Sequence, residues 1–350
     1  MSIALISNTT MTSIAMKASR STREDVYYPL GRSAWMVGLA DRESKLYQCE
    51  PDCVFIILHG RTLLGEGGIS SIEAAQTAIL PVVDIIRTAA AEHGEITFVV
   101  SSIEIPLLKI HPLVSNRPEP QAEALWRRSI EEIGLPILEL SNICTEMGRS
   151  NFYNNRLWYM GNMPFSKAAE DAIASEMERI WRALTSTRRR CLVLDLDNTL
   201  WGGEVRELGT DGVHLDIAGS GSRFVDLQRR ILDLKESGVM LAVISKGDIE
   251  KELRCINEHP CMLLRESDFA AIRVNGEPKP ANLESIALEL GIGIDSFVFI
   301  DNNPTEREIM EIALPSVAVP TPPEDSAQLE TFMIGVARQY FLQRKRGAPL

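Results

Sequence analysis

Three stretches carry side chains that could do chemistry together. CLVLDLDNTL (residues 191–200) runs from apolar residues into Asp195 and Asp197. VISKG (243–247) ends a second apolar run in Ser245 and Lys246, and FVFIDNN (297–303) ends a third in Asp301 and Asn302. Two carboxylates one residue apart share a face of an extended strand, and they repel unless a cation or a proton sits between them. That arrangement is unfavourable for folding alone, so it invites a functional reading. Asp195 and Asp301 offer hard oxygens of the kind Mg2+ takes, a few carboxylates beside a substrate phosphate. A carboxylate can also attack phosphorus to give an aspartyl-phosphate. The second one, Asp197, can then hand a proton to the leaving group and later take one from water. Ser245, Lys246 and Lys279, the last in GEPKP, can hold phosphoryl oxygens as charge builds.

These groups can act together only if the chain brings distant segments to one place. In an open parallel sheet, ligands bind beyond the carboxyl ends of the strands, and each of the three apolar runs ends in polar residues. The second half alternates strand (192–194), helix (222–237), strand (239–244), helix (249–258), helix (282–290) and strand (296–300). Lys279 falls just before the helix that leads to the last strand. A proline-rich extended segment (315–323) and a final helix (325–344) follow. The first half alternates likewise: strands at 3–6, 52–58, 96–101 and 137–140, and helices at 70–91, 119–133 and 166–184. The turn SNTT (7–10) reads as a helix cap. Strand and helix in alternation imply α/β architecture with mainly parallel sheets covered by helices. The pattern lapses in TSTRRR (185–190), which places a boundary between domains 1–185 and 186–350.

Composition excludes several classes. Of 350 residues, 45% are hydrophobic and 24% charged, so disorder is not expected. A net charge of −12 argues against a nucleic-acid binder. Local basic spots are Arg188, Arg189 and Arg190, and Arg344, Lys345 and Arg346. No apolar run approaches the ~20 residues of a membrane span, and the N-terminus lacks the basic start of a signal peptide. The six cysteines show no zinc-like spacing, so they read as core thiols of a reducing cytoplasm.

DLDNTLWGG (195–203), ISKGD (244–248), KPANLESIALELG (279–291) and FIDNNPTERE (299–308) together resemble the haloacid dehalogenase (HAD) superfamily of phosphatases. TLWGG, the spacing to SK, and DNNPTERE followed by LPSVAVPTPP bring the resemblance closer to its FkbH-like branch. The resemblance implies a HAD-like Rossmannoid C-terminal domain with minimal cap and a degenerate SGNH-hydrolase-like N-terminal domain, the latter including NFYNNRLWYMGNMPFS (151–166). It implies Asp195 as nucleophile, Asp197 as acid/base, Ser245 and Lys279 as phosphate ligands, and Mg2+ held at Asp195, Asp197, Asp301 and Asn302. FkbH-like proteins load a glyceryl unit from 1,3-bisphosphoglycerate, a phosphorylated three-carbon substrate, onto the phosphopantetheine thiol of an acyl carrier protein in polyketide biosynthesis. This chain departs from the branch at Asn302, where a second acidic residue is usual, and at Gly247, where relatives often carry Asn.

Other readings stay open: a phosphatase for another phosphorylated metabolite, or a carrier-protein scaffold whose site Asn302 weakens. The first half lacks the Gly-Asp-Ser start and closing Asp-x-x-His of an active SGNH hydrolase, which favours binding or scaffolding. His59 reads as structural, and Trp201 as part of a flap beside the site. For an acidic carrier protein, Arg229 and Arg230 are the expected basic contact, since residues 188–190 lie at the far end of the strand from Asp195.

Overall fold

The computed structural model describes residues 2–28, 34–65, 68–106, 117–185 and 189–341. Arg188, Arg344, Lys345 and Arg346 lie outside the described residues. The chain divides into two compact units, Met1–Arg182 and Ala183–Arg346, three residues before the boundary expected from TSTRRR.

The first unit is built on five parallel strands: β1 (Ile3–Ser7), β2 (Val26–Tyr27), β3 (Cys53–Ile57), β4 (Thr97–Ser101) and β5 (Ile137–Leu138), in the order β2-β1-β3-β4-β5. β1 and β3 are buried along their whole length, which is why they read as unbroken apolar runs. Helix Ile72–Glu92, capped by Ser71, lays Ile79, Val83 and Ile86 against Val54, Ile56 and Val100 in one core. Among the described residues it is the one helix long and apolar enough to cross a membrane; here those residues face the sheet.

Two expectations in this unit fail. SNTT does not cap a helix: the following helix is Thr12–Thr22, and Met11 stands at its N-cap with no side-chain bond. Asn8 instead clasps His59, its Oδ1 accepting from the His59 N–H at 2.8 Å and its Nδ2 donating to the His59 carbonyl at 3.1 Å. The last strand stops at Leu138, and Leu140 opens a helix.

The second unit has four parallel strands, β6 (Cys191–Leu194), β7 (Met240–Ser245), β8 (Ala271–Val274) and β9 (Phe297–Ile300), in the order β8-β7-β6-β9. Both faces are covered. Leu192 and Leu194 enter one core with Val225 and Ile231, while Cys191 and Val193 enter another with Leu283 and Ile286. The crossover order puts β6, first in sequence, between β7 and β9. Leu194 pairs with Val243 on one side and Ile300 on the other, so the three polar strand ends share one edge.

Lys279 is the first residue of helix Lys279–Leu290 rather than its approach, with Pro280 in the first turn, where its missing N–H costs nothing. The C-terminal helix begins later than expected, at Leu329, and runs to Val336, with a wider turn at Ala337–Phe341; residues 342–344 of the expected helix lie outside the described residues. Between β6 and β7 the chain holds short turns and helix Ser222–Glu236, and between β7 and Lys279 helix Ile249–Glu258 and β8. Neither gap carries an inserted folded domain.

Candidate active site

The ladder itself delivers the first pair of side chains. Asp195 and Asp301 each follow the last residue of a paired strand, and the Asp195 N–H continues the ladder to the Ile300 carbonyl at 3.0 Å. Both are buried, Asp301 completely. Two such carboxylates need a counter-charge, and Lys279 supplies it. Its Nζ lies 2.6 Å from Asp195 Oδ1 and 2.6 Å from Asp301 Oδ2. An ammonium therefore bridges Asp195 to Asp301. Burial works against the ammonium, but the two carboxylates more than offset it and raise Lys279 above its ordinary value. Burial also pushes the Asp195 carboxyl up to about 7; Lys279 opposes that rise and Asp301 adds to it.

Asp197 is held apart from this bridge. Its Oδ1 accepts from Trp201 Nε1 at 2.8 Å and from the Val205 N–H at 3.0 Å. The turn that permits this uses Asn198 in the left-handed region (φ 56°), where asparagine is tolerated, and the Asn198 Oδ1 accepts from the Gly203 N–H. Trp201 is fully buried in the core, so it is an anchor for Asp197 and not a surface flap.

Ser245, Lys246 and Asn302 line the same cavity of about 260 Å3 as Asp195, Asp197, Lys279 and Asp301. Lys246 donates to Glu306 Oε1 at 2.6 Å at the rim, so its charge is already shared. Asp301 Oδ1 accepts from the Asn303 N–H, while Asn302 is exposed. Among the described residues no three acidic, histidine or cysteine side chains gather closely enough to make a metal site by themselves. Asp195, Asp197, Asp301 and Asn302, the four expected ligands, all line this one cavity. The donor set is hard oxygen throughout, which suits a cation that keeps several waters and takes few carboxylates.

The residue that sequence reasoning missed is Glu252. It is fully buried on helix Ile249–Glu258, and Ser245 Oγ donates to its Oε1 at 2.7 Å. Burial pushes its carboxyl up to about 7, with Asp197 and Asp195 adding to the rise and Ser245 opposing it. A β-carbon at position 247 would stand 1.8 Å from Glu252 Oε1. Gly247, a departure from the branch in sequence, is therefore what leaves room for Glu252. The pairing has no sequence signal, because it spans a strand end and the next helix.

An ionised Glu252 occupies the Ser245 hydroxyl proton; a protonated one can donate to Oγ and free that hydroxyl for a phosphoryl oxygen. If this site handles phosphate, activity rises as the Asp195 nucleophile ionises, and Glu252, held up to about 7 as well, adds a falling limb as it ionises in turn. Glu252→Gln, which keeps a donor at every pH, flattens that limb. It also raises stability above pH 7, since a carboxyl whose folded value exceeds its unfolded one costs stability once ionised. Matching pH profiles for the two proteins would remove Glu252 from this role.

The basic residues expected at a docking surface stand in ion pairs. Arg229 pairs with Asp226, and Arg230 with Asp233 at 2.8 Å and Glu330 at 3.4 Å, all of them exposed ion pairs worth little individually. Arg189 donates to the carbonyls of Asp295 and of Ser316, tying down the start of β6. All six cysteines are free thiols; burial raises Cys53, Cys144, Cys191 and Cys255 well above the ordinary thiol value, which marks none of them as a nucleophile.

No family model and no curated protein matches this sequence. Among solved structures, the chain is similar to the N-terminal part of the protein BF1531 from Bacteroides fragilis, described as containing a phosphatase domain and complexed with Mg. Identity is 24%, 98% of this chain and 94% of that chain are covered, and the TM-score is 0.84. That likeness shows the fold across both units. Smaller matches are the HAD family enzyme bt-2542 from Bacteroides thetaiotaomicron, in complex with magnesium and inorganic phosphate, and the lipase/acylhydrolase from Enterococcus faecalis. The former has 17% identity, covers 39% of this chain and 96% of that chain, and has a TM-score of 0.28. The latter has 13% identity, covers 51% and 93%, and has a TM-score of 0.35. At those scores neither carries an argument.

Proposed function

We propose that the second unit is a Mg2+-dependent phosphatase site of the HAD type. The observation that carries this reading is the buried Asp195–Lys279–Asp301 bridge at the carboxyl edge of a parallel sheet, open to a polar cavity. Asp195 is the nucleophile, and its attack on phosphorus breaks the ester bond as the phosphoryl group passes to its carboxylate. Asp197, fixed through Oδ1 by Trp201 and Val205, hands its proton to the leaving oxygen and then takes one from the water that releases phosphate. Lys279 and Ser245 hold phosphoryl oxygens while charge builds. Asp195 and Asp301 are the residues that would hold Mg2+, which when bound would neutralise phosphate charge.

The finer reading rests on the resemblance of the motifs. The substrate is the glyceryl unit of 1,3-bisphosphoglycerate, transferred in the cytoplasm to the phosphopantetheine thiol of an acyl carrier protein. The absence of an inserted domain above β6 and β7 favours a protein-sized partner over a small metabolite alone. Two measurements separate the layers. Mg2+-dependent phosphate release from a panel of phosphate esters that includes 1,3-bisphosphoglycerate and p-nitrophenyl phosphate supports the phosphatase, and no release from any of them rejects it. A glyceryl mass increment on a holo carrier protein supports transfer; phosphate release without that increment leaves a phosphatase of another metabolite.

A further inference from the structure

A second cavity, of about 440 Å3, lies wholly within the first unit, large enough for a small organic ligand. His59, just beyond the end of β3, forms part of its wall and is itself only 3% exposed. The Asn8 clasp fixes the His59 backbone on both sides. Nδ1 lies 3.3 Å from Thr62 Oγ1, whereas Nε2 is buried and makes no hydrogen bond among the described residues. A buried ring nitrogen without a partner is costly, and none of the described residues supplies one. Burial, with Arg61 adding to it, lowers the His59 ring to about 3, so it stays neutral and can still accept or donate.

The rest of the wall says what could fill the space. The Tyr153 ring meets His59 edge-on at 5.7 Å between centroids, and Trp158 lies tilted at 5.1 Å. The Arg61 guanidinium sits over Trp158, 5.0 Å from the ring centre. Arg149 also lines the cavity and is drawn to Glu104 at 2.6 Å, while Tyr153 donates its hydroxyl to the same carboxylate. Gly60 lets this layer close, because a β-carbon there would stand 2.5 Å from the Glu104 carbonyl. Glu104 thus supports Tyr153 and Arg149, and Arg61 and Arg149 are the cationic residues among those that line the cavity.

We propose that this cavity is a binding site for a small organic anion, a carboxylate or phosphate ester carried on a flat apolar body. Arg61 meets the anion, Tyr153 and Trp158 take the body, and His59 Nε2 bonds a polar group of the ligand. The site is independent of the phosphatase reading, since every wall residue belongs to the first unit.

The test uses the full chain without divalent cation, which prevents turnover in the second unit. Imidazole resonances are followed by NMR during titration with benzoate, phenyl phosphate, benzyl alcohol or inorganic phosphate. The His59 signal is assigned by its loss in His59→Gln. Either aromatic anion should shift that signal below about 10 mM, and the neutral alcohol should bind at least about tenfold more weakly. Benzoate alone would mark a carboxylate site, phenyl phosphate alone a phosphoester site, and both support the proposal. Arg61→Gln should weaken binding by about tenfold or more. Should that variant melt early, Ser150→Glu, a change at an exposed wall residue, should repel the anion to a similar extent. No shift of His59 with either anion, equal binding of benzyl alcohol, or unchanged affinity in a folded variant would overturn it.

Discussion

Asp195→Asn abolishes phosphate release, by about 10⁴-fold or more, as the loss of a nucleophile does in enzymes whose groups act as a unit. The same substitution leaves the melting temperature at pH 8 at or above that of the wild type. The two halves of this result have separate causes. Asparagine keeps the size of the side chain but offers no anionic oxygen to phosphorus. Burial holds the Asp195 carboxyl up to about 7, far above its unfolded value. A carboxyl shifted in that direction costs stability as pH climbs past the unfolded value, and the full cost is present above the folded one. Removing the charge removes the cost, and Lys279 keeps Asp301 as its partner at 2.6 Å. Phosphate release under saturating substrate and thermal melting at pH 8 check both halves. Full turnover would sink the nucleophile assignment, and a markedly lower melt would make Asp195 a structural anion instead.

What the sequence discloses follows from periodicity and from strand ends. β6, β7 and β9 are continuous apolar runs because both their faces are covered, and each run stops where polar residues begin. That made the sheet edge and the meeting of Asp195, Ser245 and Asp301 legible. Side-chain pairings across elements were not. Lys279 was expected to reach phosphate, and it spans two carboxylates contributed by β6 and β9. The Glu252–Ser245 bond and the space left by Gly247 depend on a helix packing angle that local propensity does not set. SNTT failed for a related reason: capping residues satisfy whichever backbone groups come near, and in the folded chain those belong to His59. Short helices such as Gly60–Leu64 and Asn155–Gly161 carry too few turns to show a period, although they build the wall of the first unit's cavity.

Lys279→Met tests how much of the second unit's stability resides in its site. Methionine matches the length of lysine and packs as well, so the substitution chiefly deletes the ammonium. Asp195 and Asp301 are then buried side by side without a counter-charge. Breaking a buried pair from one side costs about 3–5 kcal/mol, and a melt lowered by roughly 6–20 °C follows for a unit of this size. An exposed pair is a different case: Lys246→Met removes the Lys246–Glu306 contact, whose lysine is 43% exposed, and costs under about 1 kcal/mol. Adding Asp301→Asn to Lys279→Met leaves a single buried carboxylate and regains about 1 kcal/mol or more, because groups in one network do not add. Neither variant regains phosphate release, since phosphoryl charge is still unopposed where the ammonium stood. Thermal melts of the two single variants and the double one decide the matter. A Lys279→Met protein that melts with the wild type would mean that water, not Lys279, balances the two carboxylates. The bridge would then belong to catalysis alone.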